Sequence, residues 1–301
     1  MRSDSRKERA RSPVNEIGTV KQAGGLTRRE LLIGLGAAGF ALAAGPVSAD
    51  RIVTSSEGLV GADITIKSGG DTIPAYEARP ASPGRYPAII VIHEIFGLHE
   101  YIRDVARRFA KEGYYAVAPE LYFREGGAGK LPDIQAVLKL VDTVPDRQVL
   151  QDLSAAVRYA GAKSWALPDR VGATGFCWGG RMTWLFAAHE RNLKAAVAWY
   201  GPLGPWRGRR DDAHPQAALD LTHQLLCPAL GLYGEADEGI PVSTVREMEA
   251  KLKAHHKTAE LVVYPGAPHG FFADYRPTYR AEVAKDAWKR ALGWFGTYLK
   301  A

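Results

Sequence analysis

A cysteine framed by glycines, Gly175-Phe176-Cys177-Trp178-Gly179-Gly180, stands between an apolar run at 171–174 and an amphipathic stretch at 181–190. Glycines two before and two after the middle residue let a strand turn sharply into a helix, and the turn lifts the cysteine above the sheet edge. The start of that helix would direct its positive end at the sulfur, which favours a nucleophilic thiolate. Taken alone, the pattern fits a tight turn around a small buried thiol equally well. Two later residues weigh against that alternative. Asp237 lies just past the apolar segment 230–233, and His269 lies in Pro268-His269-Gly270 after the segment 261–264. Nucleophile, acid and histidine in this order, each on the loop after a successive strand, make an acyl-transfer set. The thiol attacks a carbonyl, the imidazole moves its proton, and the carboxylate holds the imidazole tautomer. The backbone N–H groups of Trp178, after the nucleophile, and Ile95, on an earlier loop, are the expected oxyanion donors.

These residues need a rigid sheet beneath them. Residues 62–67 alternate apolar and polar side chains as an edge strand would, and 73–79 reads as a hairpin partner. The continuous apolar run 88–92 marks a central strand covered on both faces. Helical periodicity at 101–111, 149–162, 181–190, 241–256 and 278–299 alternates with strands at 115–118, 171–174, 194–200, 229–233 and 261–264. The segments around Gly126 and from 201 to 214 read as loops. The alternation predicts the α/β-hydrolase fold, a mostly parallel central sheet with helices on both faces, spanning 50–301 as one domain. Gly126-Gly127-Ala128-Gly129-Lys130 is no phosphate loop, because Arg124 occupies the required first glycine and Leu131 the required Ser/Thr. The chemistry requires no cofactor. His93-Glu94 lacks the second histidine of a zincin motif, so no metal site is expected.

The motifs together resemble the dienelactone hydrolase family. The resemblance is carried by the cysteine elbow, by Val91-Ile92-His93-Glu94-Ile95-Phe96-Gly97, by Pro119-Glu120-Leu121-Tyr122, by Asp237 and by Pro268-His269-Gly270-Phe271. It implies a hydrolase of small esters or lactones with Cys177, His269 and Asp237 as triad. It also implies that Glu94 is displaced by substrate and then deprotonates the thiol. The apolar neighbours Ile92, Ile95 and Phe96 predict a raised pKa for Glu94. Phe96, Tyr122, Arg124 and Arg276 are the candidate substrate contacts. Dienelactone-cleaving members bind the substrate carboxylate with two arginines, one a few residues after the histidine, and here no arginine follows until Arg276. The expectation is therefore that neutral esters or lactones are turned over at least as well as carboxylate-bearing ones. Two other readings stay open: a broad carboxylesterase or thioesterase, and a catalytically silent binding protein on the same scaffold.

The first 49 residues differ in composition from the rest. Eight basic residues, ending in Arg28-Arg29, precede an apolar core at 31–44 and the small-residue sequence Pro46-Val47-Ser48-Ala49. This predicts a signal peptide of twin-arginine type, handled by the twin-arginine export machinery and cleaved near Ala49, with the mature protein periplasmic and not inserted in a membrane. The formal net charge of +6 falls to +2 once residues 1–49 are set aside, leaving 31 basic against 29 acidic residues. With so little net charge and no basic stripe, nucleic acid is not an expected partner; a small-molecule ester or lactone is. The two cysteines, Cys177 and Cys227, fall at opposite ends of their strands, which is too far apart for a disulfide.

Overall fold

A computed structural model describes residues 51–300, so the signal-peptide reading of residues 1–49 lies outside the described residues. Eight strands form one sheet: β1 (Leu59–Ser68), β2 (Asp71–Pro80), β3 (Tyr86–Ile92), β4 (Tyr115–Pro119), β5 (Ala166–Phe176), β6 (Leu193–Trp199), β7 (Ala229–Gly234) and β8 (Ala259–Tyr264). Their spatial order is β1-β2-β4-β3-β5-β6-β7-β8. β1 and β2 form the antiparallel hairpin, β2 pairs antiparallel with β4, and the strands from β4 to β8 are mutually parallel. The apolar run in β3 is central, with Ile89, Ile90, Val91 and Ile92 all fully buried.

The helices are α1 (Glu100–Lys111), α2 (Ile134–Val141), α3 (Asp146–Gly161), α4 (Trp178–His189), α5 (Val242–Ala254) and α6 (Ala281–Phe295). Right-handed crossovers dictate their sides. The β3-α1-β4 unit steps one way along the sheet, whereas units through α3, α4 and α5 step the other way, so α1 lies on the opposite face from those three. Contact of Phe109 in α1 with Trp288 in α6, ring centroids 4.5 Å apart, puts α6 beside α1. The bidentate pair Arg181–Asp146 ties α4 to α3. The strand order reverses about β3, whose neighbours are β4 and β5. The crevice beyond the carboxyl ends of strands at such a point is where α/β sheets bind ligands.

Two elements differ from the sequence reading. Residues 134–141 form a helix that the sequence reading leaves unassigned, capped by the Asp133 carboxylate, which accepts from the Ala136 N–H at 2.8 Å. The glycine cluster just upstream carries a strong turn signal, and eight residues give little periodicity to set against it. The terminal helix is shorter than expected and closes in a π-turn at Gly296–Lys300. Among the described residues, no helix is long and apolar enough to cross a membrane.

Candidate active site

Cys177 is the first residue beyond β5 and has φ 56° and ψ −118°, backbone angles that side-chain-bearing residues seldom adopt. Its N–H donates to the Trp199 carbonyl at 3.0 Å, which fastens the turn to β6. Gly179 permits the closure, because a Cβ there would lie 2.4 Å from the His93 carbonyl oxygen. Cys177 therefore caps α4, whose first N–H groups have no carbonyl partner within the helix. The thiol is 5 % exposed and both cysteines are free.

The histidine and the acid meet it from β8 and β7. His269 Nδ1 donates to Asp237 Oδ2 at 2.7 Å. The other carboxylate oxygen, Oδ1, accepts from the N–H groups of Gly239 and Ile240 at 2.9 and 3.1 Å, so the loop that ends β7 fixes the acid. The far side of the His269 ring interacts with the Cys177 side chain. Burial alone would depress the imidazole pKa, but Asp237 and Cys177 outweigh it and hold His269 well above the ordinary histidine range. A protonated His269 between sulfur and carboxylate has the proton that a leaving alkoxide requires.

Glu94 follows β3 and is buried, but its chemistry is the reverse of what its apolar sequence neighbours predict. Burial would raise its pKa. Arg276, whose Nη2 is 3.6 Å from Oε2, together with His99 and Tyr275, overrides burial and holds the carboxyl at about 2. The Tyr275 hydroxyl donates to Glu94 Oε2 at 2.5 Å and accepts from Arg276 Nη2 at 2.7 Å. His99 Nε2 lies 3.6 Å from the same carboxylate oxygen. An ionised, paired Glu94 is a weak base and holds no proton to share with the thiol.

His93, read from sequence only as a flank of Glu94, is fully buried and neutral. Its Nδ1–H donates to the Glu94 carbonyl at 2.7 Å and its Nε2 accepts from the Leu121 N–H at 3.0 Å. Burial lowers its pKa, which preserves this donor-and-acceptor form. The ring thereby ties the loop carrying Glu94 and Ile95 to the loop after β4. Ile95 and Trp178, the expected oxyanion donors, are both 1 % exposed at the carboxyl ends of β3 and β5.

The substrate contacts expected from sequence separate into two groups. Phe96, Tyr122 and Arg276 are brought to the site. The Arg276 guanidinium lies 4.6 Å over the Phe96 ring, and its Nε and Nη1 are buried without a hydrogen-bond partner. The Tyr122 ring packs on Trp178 at 4.9 Å and its hydroxyl is also unpartnered. Arg124 is not brought there: it is bound by Asp71 and bidentately by Asp152, which consumes the guanidinium as a structural clamp. Arg276, the first arginine after His269 in sequence, lies close to the site in space. Consecutive turns, with the Ala273 N–H on the Gly270 carbonyl and the Arg276 N–H on the Ala273 carbonyl, fold the chain back and return Arg276 to Glu94. Tyr275 and His99 were missed as site residues: Tyr275 is 181 residues from Glu94, beyond any local pattern, whereas His99 lies on the same loop as Glu94 and reads from sequence only as its flank.

A family model described as "Dienelactone hydrolase family" matches residues 73–299. The chain is 50 % identical over 275 residues to a Methylorubrum extorquens protein named "Putative carboxymethylenebutenolidase", the alignment covering 91 % of this chain and 94 % of that one. An Escherichia coli protein of the same name is 48 % identical over 262 residues, covering 86 % of this chain and 95 % of that one. Among solved structures, one described as a "Putative Dienelactone Hydrolase" from Klebsiella pneumoniae matches with a TM-score of 0.77 at 50 % identity, covering 80 % of this chain and 99 % of that one.

Proposed function

Because the chain belongs to the dienelactone hydrolase family and is a hydrolase of esters or lactones, we propose that it works through Cys177, His269 and Asp237 by way of a thioester, as an exported enzyme. The observation that carries this reading is the geometry of the triad: a cysteine at a positive-φ elbow, facing a histidine whose Nδ1 is 2.7 Å from a doubly anchored aspartate.

In this mechanism the Cys177 sulfur forms a bond to the carbonyl carbon while the oxyanion takes hydrogen bonds from the Ile95 and Trp178 N–H groups. Collapse breaks the bond to the leaving oxygen, which receives the His269 proton. Neutral His269 then removes a proton from water, and attack of that water on the thioester releases the acid and restores the thiol. Glu94 acts by holding Arg276 and the Tyr275 hydroxyl in place, and an anionic group on the substrate would compete with it for the guanidinium. That arrangement favours esters or lactones bearing an acidic substituent, contrary to the expectation from sequence that neutral ones are turned over at least as well. Export by the twin-arginine route is supported by Arg28-Arg29 before the apolar core at 31–44.

Turnover of a chromogenic short-chain ester and of a lactone by purified protein tests the proposal. The expected result is hydrolysis of both, reduced about a thousandfold or more by Cys177→Ala. Undiminished turnover by a folded Cys177→Ala protein would remove the triad, and no turnover by the wild type would favour the silent scaffold.

A further inference from the structure

Cys177 has a counterpart on the adjacent strand. β5 and β6 pair with Phe176 opposite Trp199, so Cys177 and Tyr200 are register neighbours, each the first residue beyond the carboxyl edge. Both have positive φ, 56° at Cys177 and 37° at Tyr200. For a bulky aromatic residue this is an unfavourable conformation that persists only where surrounding contacts impose it. Here three contacts impose it. The Tyr200 N–H donates to the Leu232 carbonyl at 2.8 Å, and the Cys177 N–H holds the preceding Trp199 carbonyl. The first turn of α4 presses on the next residue, so closely that a Cβ on Gly201 would lie 2.3 Å from the Gly180 carbonyl carbon.

The result is a fully buried Tyr200 whose ring stands edge-on to His269, centroids 5.1 Å apart, and edge-on to Phe271 at 5.3 Å. Its hydroxyl makes no hydrogen bond to any described residue. Leaving a buried hydroxyl unpaired is costly, and such exceptions in a native fold call for a reason. Burial raises the phenol pKa far above its ordinary value, with Tyr101 and Glu94 adding to it, so the group remains a donor. The topology gives its side of the reaction. Ile95 approaches Cys177 from β3, whereas Tyr200 on β6 and His269 after β8 approach from the opposite side. The first side holds the oxyanion and the second faces the leaving group.

Building on the Cys177 reading above, we propose that the Tyr200 hydroxyl hydrogen-bonds the ester or lactone oxygen as its bond to the acyl carbon breaks, so that Tyr200 selects for substrates with basic leaving groups. The proton transferred to that oxygen is still the one on His269; the Tyr200 proton stays on the phenol. The dependent substrates are lactones and esters of ordinary alcohols, whose departing alkoxide carries most charge. Nitrophenyl esters, which leave readily, need little help.

The test is Tyr200→Phe, which keeps the ring against His269 and Phe271. It is assayed as kcat/KM over acetate esters of increasing leaving-group pKa and on δ-valerolactone. The loss of one hydrogen bond predicts a fall of about tenfold on the lactone and alkyl ester, and under about twofold on p-nitrophenyl acetate. The dependence on leaving-group pKa steepens accordingly, while the unfolding midpoint does not fall, since the unpaired buried hydroxyl is removed, and the rate of Cys177 alkylation stays unchanged. An equal fall across the series, or no fall anywhere, overturns the proposal and leaves Tyr200 a packing residue. Failure of the underlying triad reads differently: Cys177→Ala would then keep its turnover, and the Tyr200 assignment would go with it.

Discussion

Glu94→Gln tests whether the carboxylate is a paired anion or a buried acid. In the wild type its pKa is lowered from 4.5 to about 2 even though burial pushes it up, because Arg276, His99 and Tyr275 together prevail. A carboxyl with a depressed folded pKa contributes stability that is fully present above the unfolded pKa and is lost as pH falls through the folded value. The depression corresponds to about 3 kcal/mol at pH 7, and about 2 kcal/mol of that is gone by pH 3. The side chain is 3 % exposed, so solvent screening takes little from the figure. Glutamine keeps the shape and an acceptor for Tyr275 but cannot titrate. Urea unfolding of both proteins at pH 7, 5 and 3 should show the variant less stable at pH 7, with the gap closing by about 2 kcal/mol as pH falls to 3. A gap that stays constant would mean that Glu94 does not ionise differently on folding. A gap that widens on acidification would restore the raised pKa expected from its apolar sequence neighbours.

Cys227→Ala should leave turnover within about twofold of wild type, since burial pushes that thiol up to about 12 and it precedes β7, at the sheet edge opposite the triad; kcat/KM of the variant checks this. Arg276→Gln should lower kcat/KM on a carboxylate-bearing lactone by about tenfold more than on its neutral methyl ester, because a charge-assisted hydrogen bond is worth about 1.5–3 kcal/mol; an equal loss on the two substrates would mean that the guanidinium meets no anionic group. Changing Arg28 and Arg29 together to lysine should retain precursor in the cytoplasm, whereas the unaltered protein should show a mature N-terminus near Asp50 by Edman or mass analysis. Normal periplasmic accumulation of the double-lysine protein would exclude the twin-arginine route.

The parts of this fold that a sequence reader can see are those whose signal is local. An uninterrupted apolar run has few homes besides a strand covered on both faces, and 88–92 is β3. The elbow at Cys177 is visible because steric closure requires glycine at fixed offsets, and Gly179 does lie against the His93 carbonyl. Asp237 and His269 are visible because each follows its own strand, and strand ends converge at one edge of a parallel sheet. Tyr200 belongs to the same class of position yet gives no such signal, since nothing in Trp199-Tyr200-Gly201 shows that the tyrosine turns to positive φ beside the nucleophile.

Glu94 marks where local reading fails, and the reason is the sign of an electrostatic sum. Its sequence neighbours report only the desolvation, which raises the pKa. Of the groups that reverse the sign only His99 is local; Arg276 and Tyr275 come from the loop after the triad histidine, and Tyr275 is 181 residues away. Reaching Glu94 requires the turns at 270–276, each of which sets the direction of the next, so counting residues from His269 to an arginine measures contour length and not distance. Arg124 shows the converse error. It lies near the Tyr122 motif in sequence, yet Asp152 on α3 and Asp71 on the hairpin turn capture it. A charged side chain is assigned by the counter-charges within reach of its head group, and those are set by the whole topology. Arg276, with its unpartnered Nη1 and Nε, is likewise a feature that appears only once β3 and the segment after β8 are brought to the same edge.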